Sequence, residues 1–235
     1  YTTLFRSEWG GPGQAFSSIA ILLAVETFHF LSRARPVYHQ SDQLICNAPW
    51  QLNSDNHYME HNIKHHLDQL PSSGIWCAAL TPLQADLSVD CAHLARHARF
   101  LLDNGCHGIG LFGTTGEANA FSVAERMAAL ESLLSDGLSP STLMVGTGCC
   151  ALTDTVSLTR HAIEHGVNKI LALPPFYYKN VTDDGLFSSF AQVIDRTASD
   201  DLELYLYHFP AVSQTPISAN LIAMLCEHFP ETIAG

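Results

Sequence analysis

Three short clusters carry the residue types that could do chemistry: Gly113-Thr114-Thr115-Gly116-Glu117, Pro174-Pro175-Phe176-Tyr177-Tyr178 and Tyr207-His208-Phe209-Pro210. Each follows a brief apolar run. A Gly-Thr-Thr-Gly turn offers two hydroxyls and freely oriented backbone N–H groups, which together can cradle a carboxylate without an arginine. The competing reading is a tight turn with two solvent-facing threonines. Tyr177, Tyr207 and Thr114 have the hydroxyls needed for a proton relay, if partners lower the cost of transfer. Packing alone is the alternative for these tyrosines, and it is the preferred reading for Phe176 and Tyr178, as aromatic walls.

The elements that must position these clusters begin near Gly74, where apolar runs start to alternate with helical patterns, as in repeated βα units on a parallel sheet. The expected strands are Ile75 to Leu80, Gly108 to Phe112, Leu143 to Gly146, Ile170 to Leu173 and Leu204 to Tyr207, with a sixth beginning at Thr232. Five helices fit between them. Ser88, Ser122, Thr153 and Ser218 are candidate N-caps, and Ser122 with Glu125 makes a capping-box pattern. Gly105 and Gly166 mark two helix ends. The strand starts recur about every 30 residues, the size of one βα unit. All three clusters then lie at strand C-terminal ends, the rim where barrel active sites are built. A Rossmann or flavodoxin-like sheet would carry a glycine-rich loop after its first strand, whereas this one runs into Thr81-Pro82-Leu83. The expected fold is α/β, a (β/α)8 TIM barrel represented by about five units and the start of strand six.

Composition narrows the partners. A formal charge of −12 with eleven Lys and Arg disfavours a nucleic-acid or anionic-membrane surface, which leaves a small-molecule substrate. Seven cysteines without CxxC spacing indicate neither a disulfide framework nor a zinc site, and fit reduced thiols in the cytoplasm. The apolar stretch from Ala15 to Leu31 is broken by Glu26 and His29 and falls short of the ~20 residues of a membrane span.

Beyond these readings, the chain from Ile75 to Gly235 resembles the dihydrodipicolinate synthase / N-acetylneuraminate lyase family. The likeness runs through Leu80-Thr81-Pro82, the GTTGE loop, Gly146-Thr147-Gly148, the PFYY segment and the LYHFP strand end, with GTTGE the most specific. The resemblance implies a class I aldolase, in which a lysine forms a Schiff base with pyruvate and a carbon–carbon bond is made or broken beside it. It implies no cofactor and a homo-oligomer, usually tetrameric. Thr114 and Thr115, with Gly113 and Gly116, would hold the pyruvate carboxylate, and Thr114 would also pass protons. Tyr207 would be the acid/base beside the imine. Tyr177 would complete the relay, often across a subunit contact.

Two departures from the family pattern matter. The synthase branch reads Tyr-Asn-Val-Pro-Gly-Arg where this chain reads Tyr207 to Val212, and Val212 cannot grip a second carboxylate as that arginine does. Pro210-Ala211-Val212-Ser213 is more similar to the sialate lyase and 2-keto-3-deoxy sugar-acid aldolase branches, with His208 and Ser213 as partners for aldehyde hydroxyls. Pyruvate plus a sugar-derived aldehyde is therefore the expected pair. Dihydrodipicolinate synthesis from pyruvate and aspartate semialdehyde, a non-catalytic keto-acid-binding barrel, and a barrel lyase of unrelated chemistry are the alternatives. The family's lysine also follows a strand of the form Ile-Ala-Gly-Ile-Lys, and this sequence stops at Ile233-Ala234-Gly235, so the nucleophile is expected about two residues further on. Of the three lysines present, Lys64 precedes the barrel, Lys169 opens the fourth strand at the inactive rim, and Lys179 lies in a top loop on the wrong strand.

Residues 1–58 read as a leader of non-native origin, with Met59 as natural start and residues 59–235 as the barrel domain. His57, His61 and His65 recur at helical spacing beside His66, but no acidic or cysteine partner joins them in the pattern. No metal site is expected.

Overall fold

A computed structural model describes residues 74–235. The expectations for the leader, for a helix over 63–70 and for the histidines before Lys64 and just after it lie outside the described residues. Five parallel strands, β1 (Trp76–Ala78), β2 (Gly108–Leu111), β3 (Leu143–Gly146), β4 (Lys169–Ala172) and β5 (Glu203–Leu206), pair in chain order. Helices α1 (Cys91–Asp103), α2 (Val123–Ser135), α3 (Leu152–Glu164) and α4 (Asp183–Thr197) make the crossovers. A single turn, α5 (Pro210–Ser213), and α6 (Ala219–His228) follow β5. Ile233 then bridges Leu204 in parallel, and the Leu206 N–H donates to the Gly235 carbonyl at 2.7 Å, which lays the start of a sixth strand on β5. Sequential order with a helix between every pair is the (β/α)8 arrangement, here five units and the beginning of a sixth strand.

Strand alternation sorts the core. Ile109, Leu111, Leu143, Val145, Ile170, Ala172 and Leu204 belong to one large buried cluster with helix residues such as Leu94, Leu130, Leu186 and Leu221. The intervening positions Met144, Leu171 and Tyr205 form a separate small cluster, with Trp76, Tyr207 and Ala234 packed against it. Neighbouring side chains on a strand point to opposite faces, so the first cluster is the sheet–helix layer and the second the concave inner face. Among the described residues no helix is long and apolar enough to cross a membrane.

Local chemistry sets most boundaries. Ser122 accepts from the Glu125 N–H while Glu125 reaches back to Ser122, the reciprocal box expected. Ser218 caps α6 through the Leu221 N–H. Gly105 and Gly166 take φ of +97° and +81° just past α1 and α3, where a side chain would be strained.

Two expected caps are corrected. Helix α1 is capped by Asp90, which accepts from the His93 N–H at 2.9 Å, while Ser88 bonds to Asp86 in the turn before it. The residue at the cap position of α3 is Ala151, and Thr153 lies inside the helix; the hydroxyl of Thr155 instead accepts from the Cys149 N–H at 3.1 Å.

Candidate active site

Because the strands are parallel, the segments after β1 to β5 all emerge on one rim. The GTTGE loop leaves β2 through Phe112, which is buried and has a φ of 53°, and closes through Glu117 at a φ of 51°. Left-handed backbone at non-glycine residues is uncommon, and here it occurs on both sides of the threonine pair. The loop is pinned from two sides. The Thr81 hydroxyl donates to the Gly116 carbonyl at 2.7 Å, and the Glu117 N–H donates to the Thr114 carbonyl at 3.1 Å. A side chain at Gly116 would lie 3.0 Å from the Ala79 carbonyl oxygen, so the approach is tight at this position. Among the described residues no hydrogen bond occupies the N–H groups of Thr114, Thr115 or Gly116. They remain available to an anion, as a cradle requires.

Across the rim, the Tyr207 N–H donates to the Ala172 carbonyl at 2.9 Å, continuing β5 along β4 by one residue. The Tyr207 hydroxyl donates to the Thr114 hydroxyl at 3.2 Å, joining residues 93 positions apart. Its ring stacks on Phe209 with centroids 5.8 Å apart. Tyr177 is not part of this contact within one chain: it is 72% exposed and stands edge-on to Tyr178.

His208 is exposed, and its Nδ1 accepts from the Ile217 N–H at 3.0 Å, which leaves Nε2 as the free ring nitrogen. Ser213 is corrected. It is fully buried, its hydroxyl accepting from the Thr215 N–H and facing the Phe209 and Thr215 carbonyls, each at 3.1 Å, so it holds the α5 turn rather than facing a substrate. Val212 on the same turn is 51% exposed.

Sequence reasoning missed Arg126. This α2 side chain is buried, donates to the Gly146 carbonyl, contacts Cys149 Sγ at 3.3 Å and lies over the Phe112 ring at 5.8 Å. Burial lowers the basicity of its guanidinium, the proximity of Cys149 opposing, and its Nε has no hydrogen-bond partner. Arg126 thereby ties the start of the GTTGE loop to the turn after β3. The only signal in the sequence is its place on the inward stripe of α2, where a long polar residue reads as solvent-facing.

Both described lysines are engaged elsewhere. Lys169 pairs with Glu203 at 3.4 Å and lies over the Trp76 ring at the N-terminal ends of β4 and β5. Lys179 donates to the Phe176 and Ser213 carbonyls, which fastens the β4 loop to α5.

A parallel βα barrel whose rim joins a threonine turn to a strand-end tyrosine defines the class, and the comparisons agree with it. The chain belongs to the Dihydrodipicolinate synthetase family, whose profile matches residues 71–235. It is 42% identical over 157 residues to an uncharacterized DapA-like lyase of Chloroflexus aurantiacus, covering 66% of this chain and 52% of that protein. Among solved structures it is similar to dihydrodipicolinate synthase from Agrobacterium tumefaciens, at 35% identity and a TM-score of 0.67, covering 69% of this chain and 56% of that one. It is also similar to YagE, an E. coli K12 prophage protein of the same family solved with pyruvate, at 27% identity and a TM-score of 0.63, covering 69% and 53%. The chain spans about half the length of the curated relatives it matches.

Proposed function

We propose that this chain supplies the pyruvate-binding rim of a class I aldolase that cleaves a 2-keto-3-deoxy sugar acid or a sialate-like acid to pyruvate and an aldehyde. The contact that carries the reading is Tyr207 Oη to Thr114 Oγ1 at 3.2 Å, beside the unoccupied N–H groups of the same turn. The turn would take the pyruvate carboxylate. Tyr207 would move a proton to or from the aldehyde oxygen through Thr114, and Tyr177 would join from a neighbouring subunit of a homo-oligomer. The imine lysine would lie beyond Gly235, since Lys169 and Lys179 are held by other partners. Borohydride reduction in the presence of pyruvate should therefore leave this 235-residue chain unlabelled by mass spectrometry. A stoichiometric pyruvyl adduct would remove the reading.

Val212 supports the sugar-acid branch, because it offers no charge to pair with the carboxylate of aspartate semialdehyde, whereas hydroxyls can be met by His208 Nε2. In a protein extended through the lysine and the remaining strands, kcat/KM for a 2-keto-3-deoxy sugar acid should exceed that for condensation with aspartate semialdehyde. Val212→Arg should move the ratio toward the semialdehyde. Tyr207→Phe should lower kcat by about 10²–10⁴. The likeness to a protein solved as dihydrodipicolinate synthase favours the synthase as second reading, and preference of the unmutated protein for the semialdehyde would select it.

A further inference from the structure

On the outer, helical side of the sheet, Glu131 of α2 stands beside His161 of α3 and His165, the residue that caps the end of that helix. One ring nitrogen of each histidine and a carboxylate oxygen of Glu131 all lie within 4.8 Å of one another. We propose that these three residues form a binding site for a divalent ion of the zinc class, separate from the keto-acid rim.

His161 and His165 are one helical turn apart, so their rings lie on one face, with centroids 4.3 Å apart. His165 Nδ1 lies 2.8 Å from the His161 carbonyl. A carbonyl can only accept, so Nδ1 carries the proton and the Nε2 lone pair is free, the orientation that metal-ligating histidines acquire from a hydrogen bond at their other nitrogen. His161 Nε2 meets Glu131 Oε1 at 2.8 Å. Zinc bonds of about 2.0–2.2 Å separate neighbouring ligand atoms by roughly 3–3.5 Å, so an ion can replace the shared proton with little movement.

The remaining adjustment is a rotamer change in exposed side chains, since the Glu131 side chain is 52% exposed and His165 is exposed. His161, at 12%, is the more buried ligand and also lines a cavity of about 450 Å³ with Arg160, Ser157 and Arg196, and the exposure of the other two residues leaves a coordination position to water. Two histidines and a glutamate with an open position suit Zn²⁺, whereas Ca²⁺ and Mg²⁺ require oxygen ligands. A bound ion would tie α2 to α3.

Zn²⁺ titrated against a chromophoric chelator is the test, with Co²⁺ absorption to report the ligands. One ion per chain should bind, without a thiolate charge-transfer band. Replacing His161→Gln together with His165→Gln should weaken that binding about a hundredfold, and Glu131→Gln, a surface change that leaves the fold intact, about tenfold. Replacing His57, His61 and His65 with glutamine should leave it unchanged. The proposal fails if Zn²⁺ does not bind, if the His161 and His165 double variant binds as tightly, if the variant lacking His57, His61 and His65 loses the ion, or if the cobalt spectrum shows thiolate ligation.

Discussion

Along β5 the outward positions Leu204 and Leu206 pack into the layer beneath the helices, whereas the inward positions Glu203 and Tyr205, with Tyr207 beyond them, meet inward residues of neighbouring strands. The same division runs through every strand. Outward residues are aliphatic or small and mostly buried. Inward ones mix three glycines, Gly108, Gly110 and Gly146, with larger side chains, among them Trp76, Met144, Lys169, Leu171, Glu203 and Tyr205. The helical layer holds the sheet through dispersion and the removal of apolar area from water. The inner face fits pieces together, as where the Trp76 ring lies over Gly108 so closely that a side chain there would come within 2.3 Å of it. Most of the buried apolar area is thus on one face, and the candidate site lies on the rim of the other.

The sharpest way to break this comparison is to truncate matched residues. Leu204→Ala, on the outer face and fully buried, should cost about 2–5 kcal/mol in urea unfolding, and Leu171→Ala, in the small inner cluster, less. Equal losses would mean that the inner cluster is as strongly consolidated as the helical layer.

Gly146→Ala tests fitting rather than burial. Its side chain would lie 2.2 Å from the Phe112 carbonyl oxygen, and backbone cannot swing aside as a side chain can. A loss of about 1–3 kcal/mol is expected, with amide shifts in the GTTGE loop by NMR.

Tyr205 offers a sharper probe of the inner face. Burial, and next the Glu203 charge, push its hydroxyl far above the ordinary value of 10.0. The folded state therefore holds this proton more tightly than the unfolded state does. Its stabilising contribution is full below pH 10 and is lost as pH rises above that toward the raised folded value. Spectrophotometric titration should find a tyrosine that ionises above the ordinary range, and Tyr205→Phe should remove it together with part of the alkaline loss of stability.

The smallest effect belongs to the inner ion pair. Lys169 and Glu203 are partly exposed and 3.4 Å apart, so Glu203→Gln should change stability by less than about 1 kcal/mol at moderate salt. A larger loss would show the bottom of the inner face to be drier than its exposure suggests.

What was legible in the sequence follows the reach of each signal. Strand alternation and the turn glycines act locally, so β3 was expected with its observed ends, and the other strands differ by one residue at most at either end except β1, which is shorter at both. The Ser122 box and the Ser218 cap were equally local. Ser88 misled because Asp90, two residues on, takes the cap of α1, and Thr153 misled because α3 starts after Ala151 without a side-chain cap. The Tyr207 and Thr114 contact was expected from their places at strand ends. The burial of Ser213 and the exposure of Tyr177 depend on how α5 packs and on Lys179, which no local pattern encodes. Arg126 was missed for the same reason: its partners, Gly146, Cys149 and Phe112, come from different segments.

That buried arginine also bears on engineering. A designer who grafts the GTTGE turn onto another barrel would carry over its threonines but leave behind the guanidinium that secures Phe112 and the glycine at position 146 that makes room for it. The transferable module is the whole passage from β2 through α2 to the turn after β3, and a graft limited to the loop should relax toward the ordinary backbone angles that Phe112 and Glu117 now avoid.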